Sequence, residues 1–240
     1  MVRDAESLLA CAMLKQLARD WCPPAVWGIA TRAKSTLRPR RHAAPAPERQ
    51  ELDIYWTTEM AEALESWGEG TTWREIQLLV AGRTGPLLDV ACGTGRVMDL
   101  LAPFGLEIHG VDVSDALIDR AIARGIPRDR LTVGDATHMP YPDGAYEHAY
   151  SIGSLEHFTE QGIVACLSEC RRVARGPTFH MIPVSRSGRD EGWIRHGQSY
   201  FNNDLSWWLR VARSVYPRTE SIDSTWGDGL SVGKWLVCQA

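Results

Sequence analysis

From Pro86 onward the sequence alternates short apolar runs with segments of helical spacing, and few folds accommodate that order. The apolar runs occupy 87–92, 108–111, 131–133, 145–151, 179–182, 220–224 and 232–238; the helical segments occupy 96–101, 115–124, 159–173 and 204–215. Strands and helices in alternation, joined by short connections, imply a largely parallel sheet covered by helices on both faces. Ligands of such sheets sit beyond the carboxyl ends of the strands. At 240 residues the chain is long enough for one large domain, which buries roughly 70–75% of its unfolded surface without metal or disulfide support.

The first strand end is the stretch LLDVACGTGRVMDLL at 87–101, an apolar run that stops at an acid, turns through Gly93 and Gly95, and resumes as a helix. Glycines there let the backbone turn tightly and approach a ligand, toward which the next helix aims its N-terminal amides. A dinucleotide site would require a third small residue to pack helix against strand. Met98 occupies that place, so the nicotinamide-cofactor fingerprint fails. Asp89 would also lie close to two phosphates; it suits a ligand carrying an ammonium group.

Two further acids end the following strands. Asp112, in Ile108-His109-Gly110-Val111-Asp112, stands where a carboxylate accepts both ribose hydroxyls. Ser114 then caps a helix whose Leu117, Ile118, Ala121 and Ile122 face the sheet, with Gly125 as its C-cap. Asp135, in Val133-Gly134-Asp135-Ala136, is placed to accept from an exocyclic adenine amine. An adenosine with a free amino acid end satisfies all three.

With these residues in view, the sequence resembles a class I S-adenosylmethionine-dependent methyltransferase. LDVACGTG is similar to that family's glycine-rich motif, GVDVS to its ribose-binding acid, GDA to its adenine motif, and MPYPDGAYEHAYSIGSLEHF to the segment running through the fourth strand into the substrate-side loop. The resemblance covers about 85–183. It implies an α/β, Rossmann-like, seven-stranded, mostly parallel sheet with a reversed last hairpin, flanked by helices, with S-adenosyl-L-methionine as cofactor. The implied cofactor residues are Asp89, Ala91, Gly93, Thr94, Gly95, Asp112, Val113, Asp135, Ala136 and Ser151, with Ala136, Thr137 and Ser151 as walls around adenine and sulfonium. Ala91 departs from the glycine that many members carry there, and Thr94 either touches the cofactor or solvates the turn.

Methyl transfer from a sulfonium is an in-line displacement, so the protein supplies alignment, desolvation and, for a hydroxyl acceptor, removal of a proton. His157, in Leu155-Glu156-His157-Phe158, is the first candidate base; it is read more readily as a structural or cofactor-packing histidine, since the resemblance carries Glu-His there whatever the substrate. His196 is the second candidate. The motif for methylating base amino groups is absent after the fourth strand, where Tyr150-Ser151-Ile152-Gly153 stands, and so are a Pro-Cys nucleophile and the acid of metal-dependent catechol enzymes. DNA and catechol acceptors are therefore disfavoured, and no metal is expected. Substrate selectivity is expected outside the shared fold, in the N-terminal helices and the insertion 186–208. The insertion concentrates Trp193, His196, Tyr200, Phe201, Asn202, Asn203, Trp207 and Trp208. Aromatic faces beside amides fit a glycan or other polyhydroxylated acceptor, and they fit a packed lid equally well.

Residues 1–48 read as a basic, amphipathic helical arm and linker, and 49–240 as the methyltransferase domain. Leu9, Met13, Leu14, Leu17 and Trp21 recur at helical spacing before Cys22-Pro23-Pro24 ends the pattern. Eight basic residues against three acids in 1–42 give a local charge of +5 in a chain of net −4. The arm is read as a flap on the domain or as a peripheral contact with an anionic membrane surface. It is also similar to the leader of many enzymes of bacterial surface-polysaccharide assembly. Residues 53–80 look helical, broken at Gly68 and Gly70. No apolar run is long enough to span a bilayer, and Asp4 and Glu6 argue against a signal peptide. Six cysteines without a Cys-x-x-Cys pair suggest reduced thiols and a cytoplasmic protein, with peripheral attachment at the inner membrane face as its membrane option. The expected reaction is O-methylation of a glycan, glycolipid or small polyhydroxylated metabolite; protein or RNA methylation and a non-catalytic cofactor-binding scaffold are its rivals.

Overall fold

The computed structural model describes residue 62, residues 65–196 and residues 198–240, with the side chains of 195, 196 and 198 left aside. The expectations placed on the arm, the linker and 53–61 lie outside these residues. Beyond them the chain runs α1 (Thr72–Val80), β1 (Leu87–Val90), α2 (Arg96–Leu101), β2 (Ile108–Asp112), α3 (Asp115–Arg124), β3 (Leu131–Val133), β4 (His148–Ile152), α4 (Glu160–Val173) and β5 (Thr178–Ser185). It continues through β6 (Trp193–His196), β7 (Gln198–Phe201), α5 (Leu205–Arg213), β8 (Arg218–Gly227) and β9 (Ser231–Gln239).

Seven strands form one sheet in the order β3-β2-β1-β4-β5-β9-β8. The pairings β1–β2, β1–β4, β2–β3 and β4–β5 are parallel, and β9 runs antiparallel to both β5 and β8. This is the seven-stranded sheet with a reversed closing strand expected from the sequence. Strand order reverses between β1 and β4, which opens a crevice at their carboxyl ends.

Each sheet face is buried by its own apolar cluster. One face meets α1, α2 and α3 through Ile76, Val80, Met98, Leu101, Ile118 and Ala121; the other meets α4 and α5 through Ile163, Leu167, Val173, Trp208 and Val211. With both faces covered, every residue of β1 and of β5 is buried, so neither strand shows the apolar–polar alternation of a half-exposed sheet. Each fully buried Leu or Ile contributes about 1.5–3 kcal/mol.

Helix starts follow the local chemistry. Ser114 Oγ accepts from the Leu117 amide at 3.3 Å, Thr159 Oγ1 from the Gly162 amide at 2.9 Å, and Asp204 Oδ1 from the Trp207 amide at 2.7 Å. Gly125, at φ +107°, ends α3 as predicted. Before α1, the reading of 53–80 as one interrupted helix gives way to turns from 65 to 71.

The insertion 186–208 contains the two-stranded hairpin β6–β7, which the sequence reading did not anticipate. Its aromatics pack on one another and on the core. Trp193 meets Phe201, Phe201 meets Trp207, and Trp207 meets Trp208, each pair with ring centroids 5.0 Å apart. Asn202 and Asn203 are buried at the hairpin base, where Asn203 Oδ1 accepts from the Gly192 amide at 2.7 Å and Asn202 Nδ2 donates to Glu191 at 2.9 Å. Of the two readings of these aromatics, packing accounts for Trp193, Phe201, Trp207 and Trp208. The cysteines at 92, 166, 170 and 238 are buried and free. Among the described residues no helix is long and apolar enough to cross a membrane.

Candidate functional site

A cleft opens at the crevice between β1 and β4. Asp89, Ala91, Gly93, Thr94, Arg96 and Val97 line it from the β1 side, and Ile152, Gly153 and Ser154 from the β4 side. Trp67 and Trp73 close it from the segment that leads into α1.

The turn after β1 is built by close approach. Gly95 sits at φ +69°, and a Cβ there would meet the Ala121 side chain at 2.9 Å, so glycine is required both by the backbone and by the packing of α3. The bulky Met98 is accommodated from the opposite side. A Cβ at Gly110 on β2 would lie 2.8 Å from Met98 Sδ and 2.7 Å from Cys92 Sγ. The small residue that lets helix and strand come together thus lies on the strand here, not on the helix.

Arg124, near the end of α3, donates through Nε to the Thr94 carbonyl at 3.0 Å and pairs with Glu65. The turn is thereby tied to the segment that carries Trp67. Trp67 also packs on Gly153 and makes an edge contact with Trp226 at 5.8 Å between ring centroids.

The two strand-end acids are held differently. Asp112 Oδ2 accepts from the Gly93 amide at 2.8 Å and Oδ1 from the Ser114 amide at 2.9 Å, each oxygen keeping lone-pair capacity for a hydroxyl. Burial raises its pKa, and the backbone donors oppose the rise. Asp89 is 3% exposed and, among the described residues, accepts one hydrogen bond, from the Tyr150 hydroxyl at 3.0 Å. Burial pushes its pKa up to about 8, with the Tyr150 hydroxyl lowering and the Asp112 charge raising it.

The other residues named from sequence fall as follows. Gly134 donates its amide to the Asp112 carbonyl at 2.8 Å, which brings the Asp135 turn beside Asp112. Asp135 Oδ1 accepts from both the amide and the hydroxyl of Thr137 at 2.8 Å, and Ala136 is buried beside them. Val113 separates Asp112 from the capping Ser114 and is half-buried. Ser151 does not line the cleft. It is fully buried with Oγ 2.9 Å from His180 Nδ1, and His180 Nε2 lies 3.0 Å from Thr178 Oγ1. His196 closes β6, and its side chain lies outside what the structure describes.

His157 stands in a short 3-10 turn, Leu155–His157, just past β4. Its Nδ1 lies 2.9 Å from the Ser199 carbonyl of the inserted hairpin, which accepts hydrogen bonds and donates none. This fixes the proton on Nδ1 and leaves Nε2 as the acceptor nitrogen. Burial lowers the His157 pKa, so the ring is neutral at neutral pH. Glu156, beside His157, carries no signal of a role in the sequence alone. Its Oε1 lies 4.0 Å from His157 Nε2, its Oε2 is buried without a hydrogen-bond partner among the described residues, and burial pushes its pKa up to about 8. Tyr150 was likewise missed, because only the register that sets it opposite Asp89 gives it meaning.

These residues fit the cofactor that the resemblance implies. A buried carboxyl that meets no cation among the described residues suits an ammonium group, a carboxylate with spare lone pairs on both oxygens suits a ribose diol, and the glycine turn leaves room for both. Among the described residues no cluster of His, Cys, Asp and Glu suits a metal ion.

Comparison with known proteins agrees. Residues 87–176 match the family model described as a methyltransferase domain. The chain is 34% identical over 115 residues to the demethylmenaquinone methyltransferase of Thermotoga maritima, covering 46% of this chain and 48% of that protein. It is 34% identical over 96 residues to human methyltransferase-like protein 27, covering 34% and 39%. The chain thus spans less than half the length of these curated relatives. In fold it is similar to the Burkholderia thailandensis 1,6-didemethyltoxoflavin-N1-methyltransferase solved with S-adenosylhomocysteine, with a TM-score of 0.59 at 17% identity over 82% of this chain and 94% of that one. Sheet order, glycine turn, paired acids and the match over residues 87–176 together identify within this chain a methyltransferase domain with the class I, Rossmann-like fold, the kind that takes S-adenosyl-L-methionine as its cofactor.

Proposed function

We propose that this chain transfers a methyl group from S-adenosylmethionine to an oxygen of a small polyhydroxylated metabolite, glycan or glycolipid. The cofactor supplies an electrophilic methyl group. What remains for the protein is to hold the acceptor in line, exclude water and take the proton of the attacking hydroxyl. His157 carries this reading: it lies just past β4, its amide donating to the carbonyl of the cleft residue Ser154 at 3.1 Å, and the Ser199 carbonyl at Nδ1 sets the tautomer in which Nε2 bears the ring lone pair. Glu156 places Oε1 4.0 Å from that nitrogen, so an imidazolium formed there favours the ionised Glu156 that burial alone disfavours. Tyr200 on β7 flanks the pair, its ring centroid 6.4 Å from the His157 ring.

The demethylmenaquinone enzyme of Thermotoga maritima bears the name of a small-molecule methyltransferase, which supports a small acceptor over a macromolecular one. The aromatics consumed by packing in the insertion give sugar stacking less support than the sequence promised, and acceptor recognition falls instead to Glu156, His157 and Tyr200. The basic arm at 1–42 completes the proposal as a peripheral contact that brings the domain to lipid-linked acceptors.

The test incubates the full chain with methyl-labelled S-adenosylmethionine and a cell extract split into glycolipid, small-molecule, RNA and protein fractions. Label is expected in one of the first two. His157→Ala is expected to lower that labelling by about a hundredfold, within the usual range for loss of a general base, while S-adenosylhomocysteine still binds. Label in RNA or protein refutes the acceptor class, and binding without turnover on any fraction makes the chain a scaffold.

A further inference from the structure

Asp89 and Asp112 end neighbouring strands, yet only Asp112 is held by backbone amides. Among the described residues the hydrogen-bond donor to Asp89 is a neutral phenol: Tyr150, in register with Asp89 across the β1–β4 pairing, is fully buried and donates its hydroxyl to Oδ2 at 3.0 Å. Tyr150 does not line the cleft, whereas Asp89 does. Among the described residues the other groups that face Asp89 are the Asp112 carboxyl from β2 and the Cys92 thiol from the turn, and neither is positive. Arg96, the cation that lines the cleft, is engaged with Asp99 at 3.1 Å and lies over the Trp73 ring. A buried carboxyl that meets no cation keeps its proton; one that meets an ammonium group gives it up.

We propose that Tyr150 is a positioning residue that couples cofactor binding to release of one proton: Asp89 is a carboxylic acid in the empty cleft, loses that proton to solvent when the ammonium group of the cofactor arrives, and is held as a carboxylate by the Tyr150 hydroxyl. The inference rests on S-adenosylmethionine being the ligand of this cleft. Burial, which holds the empty-state carboxyl at about 8, accords with the geometry.

The experiment is calorimetric titration of the full chain with S-adenosylhomocysteine from about pH 6 to pH 8, in buffers of differing ionisation enthalpy, with 5′-methylthioadenosine as a ligand lacking the amino acid end. S-adenosylhomocysteine is expected to release close to one proton near neutrality, and its affinity to fall by about tenfold per unit as pH drops below about 8. Tyr150→Phe is expected to weaken S-adenosylhomocysteine about tenfold near neutral pH and to move the break in the profile upward. Methylthioadenosine binding should respond to neither pH nor the substitution. Should Tyr150→Phe fail to fold, Asp89→Asn, which cannot ionise, is expected to abolish the proton release. Binding without proton release, or a pH break that Tyr150→Phe leaves in place, overturns the inference and returns Tyr150 to core packing. Failure of both ligands to bind overturns the cofactor reading as well, and so separates the two.

Discussion

Ala91 sits at φ +58° in the turn after β1, alone among the described non-glycine residues in having positive φ. A side chain in that region costs of order 1–3 kcal/mol and persists where the surroundings over-determine it. Here β1 fixes one side, and the Cys92 amide, which donates to the Val111 carbonyl at 3.0 Å, fixes the other. Ala91→Gly relieves the strain but frees the unfolded chain, so the net gain is smaller, about 0.5–1 kcal/mol. A rise of a few degrees in Tm with S-adenosylhomocysteine affinity retained is the expected result of thermal unfolding and titration. Residue identities at this turn were legible in the sequence, because glycines and strand-end acids at fixed spacing carry their chemistry with them. The strain was not, since alanine at that position reads as an ordinary small residue until its φ is known.

At the scale of elements, α1 is fastened to the closing hairpin by one carboxylate. Glu75 accepts from the Ser224 hydroxyl at 2.7 Å, from the Thr225 amide and hydroxyl at 2.6 Å each, and from Trp235 Nε1 at 2.7 Å. Burial raises its pKa and these donors outweigh it, leaving the carboxyl below its ordinary range. Glu75→Ala strands the indole of the buried Trp235 and is expected to cost about 2 kcal/mol, read as a lowered denaturant midpoint, with Glu75→Gln recovering part of the loss. Because α1 carries Trp73 over the cleft, cofactor affinity should fall in the same variant. Alternating apolar runs and helical segments foretold the sheet and the bounds of α2 and α3 well, because periodicity and caps are local. The hairpin β6–β7 escaped notice because its aromatics, Trp193 and Phe201 among them, are spent on tertiary stacking and leave no simple period along the chain. Glu75 escaped for the same reason, since its four donors lie about 150 residues further on.

At the scale of the whole molecule, the buried ionisable groups set how stability changes with pH. Asp89 and Glu156 have folded pKa values raised to about 8 against ordinary carboxyl values near 4, so the fold holds protons that the unfolded chain has lost. Their contribution is complete below about pH 4 and is lost as pH rises toward 8. His157 and His180, whose values burial lowers, act oppositely and add stability as pH rises toward about 6.5. Above about pH 6.5 the histidine contribution is complete while that of the acids is still being lost, so without its cofactor the protein should lose several degrees of Tm between about pH 6.5 and pH 8, a loss that S-adenosylhomocysteine reduces by giving Asp89 a partner. A scanning calorimetry series in which Tm instead rises through that interval would contradict the assignment of the two acids. The same map divides the chain unevenly. Asp89 through Ser154 supply most of the cleft and lie within the segment matched by the family model, whereas the carbonyl that orients His157 belongs to Ser199, beyond it. Such a division allows evolution to exchange the hairpin, and with it the carbonyl that sets the His157 tautomer, while the cleft built by the matched segment is inherited unchanged.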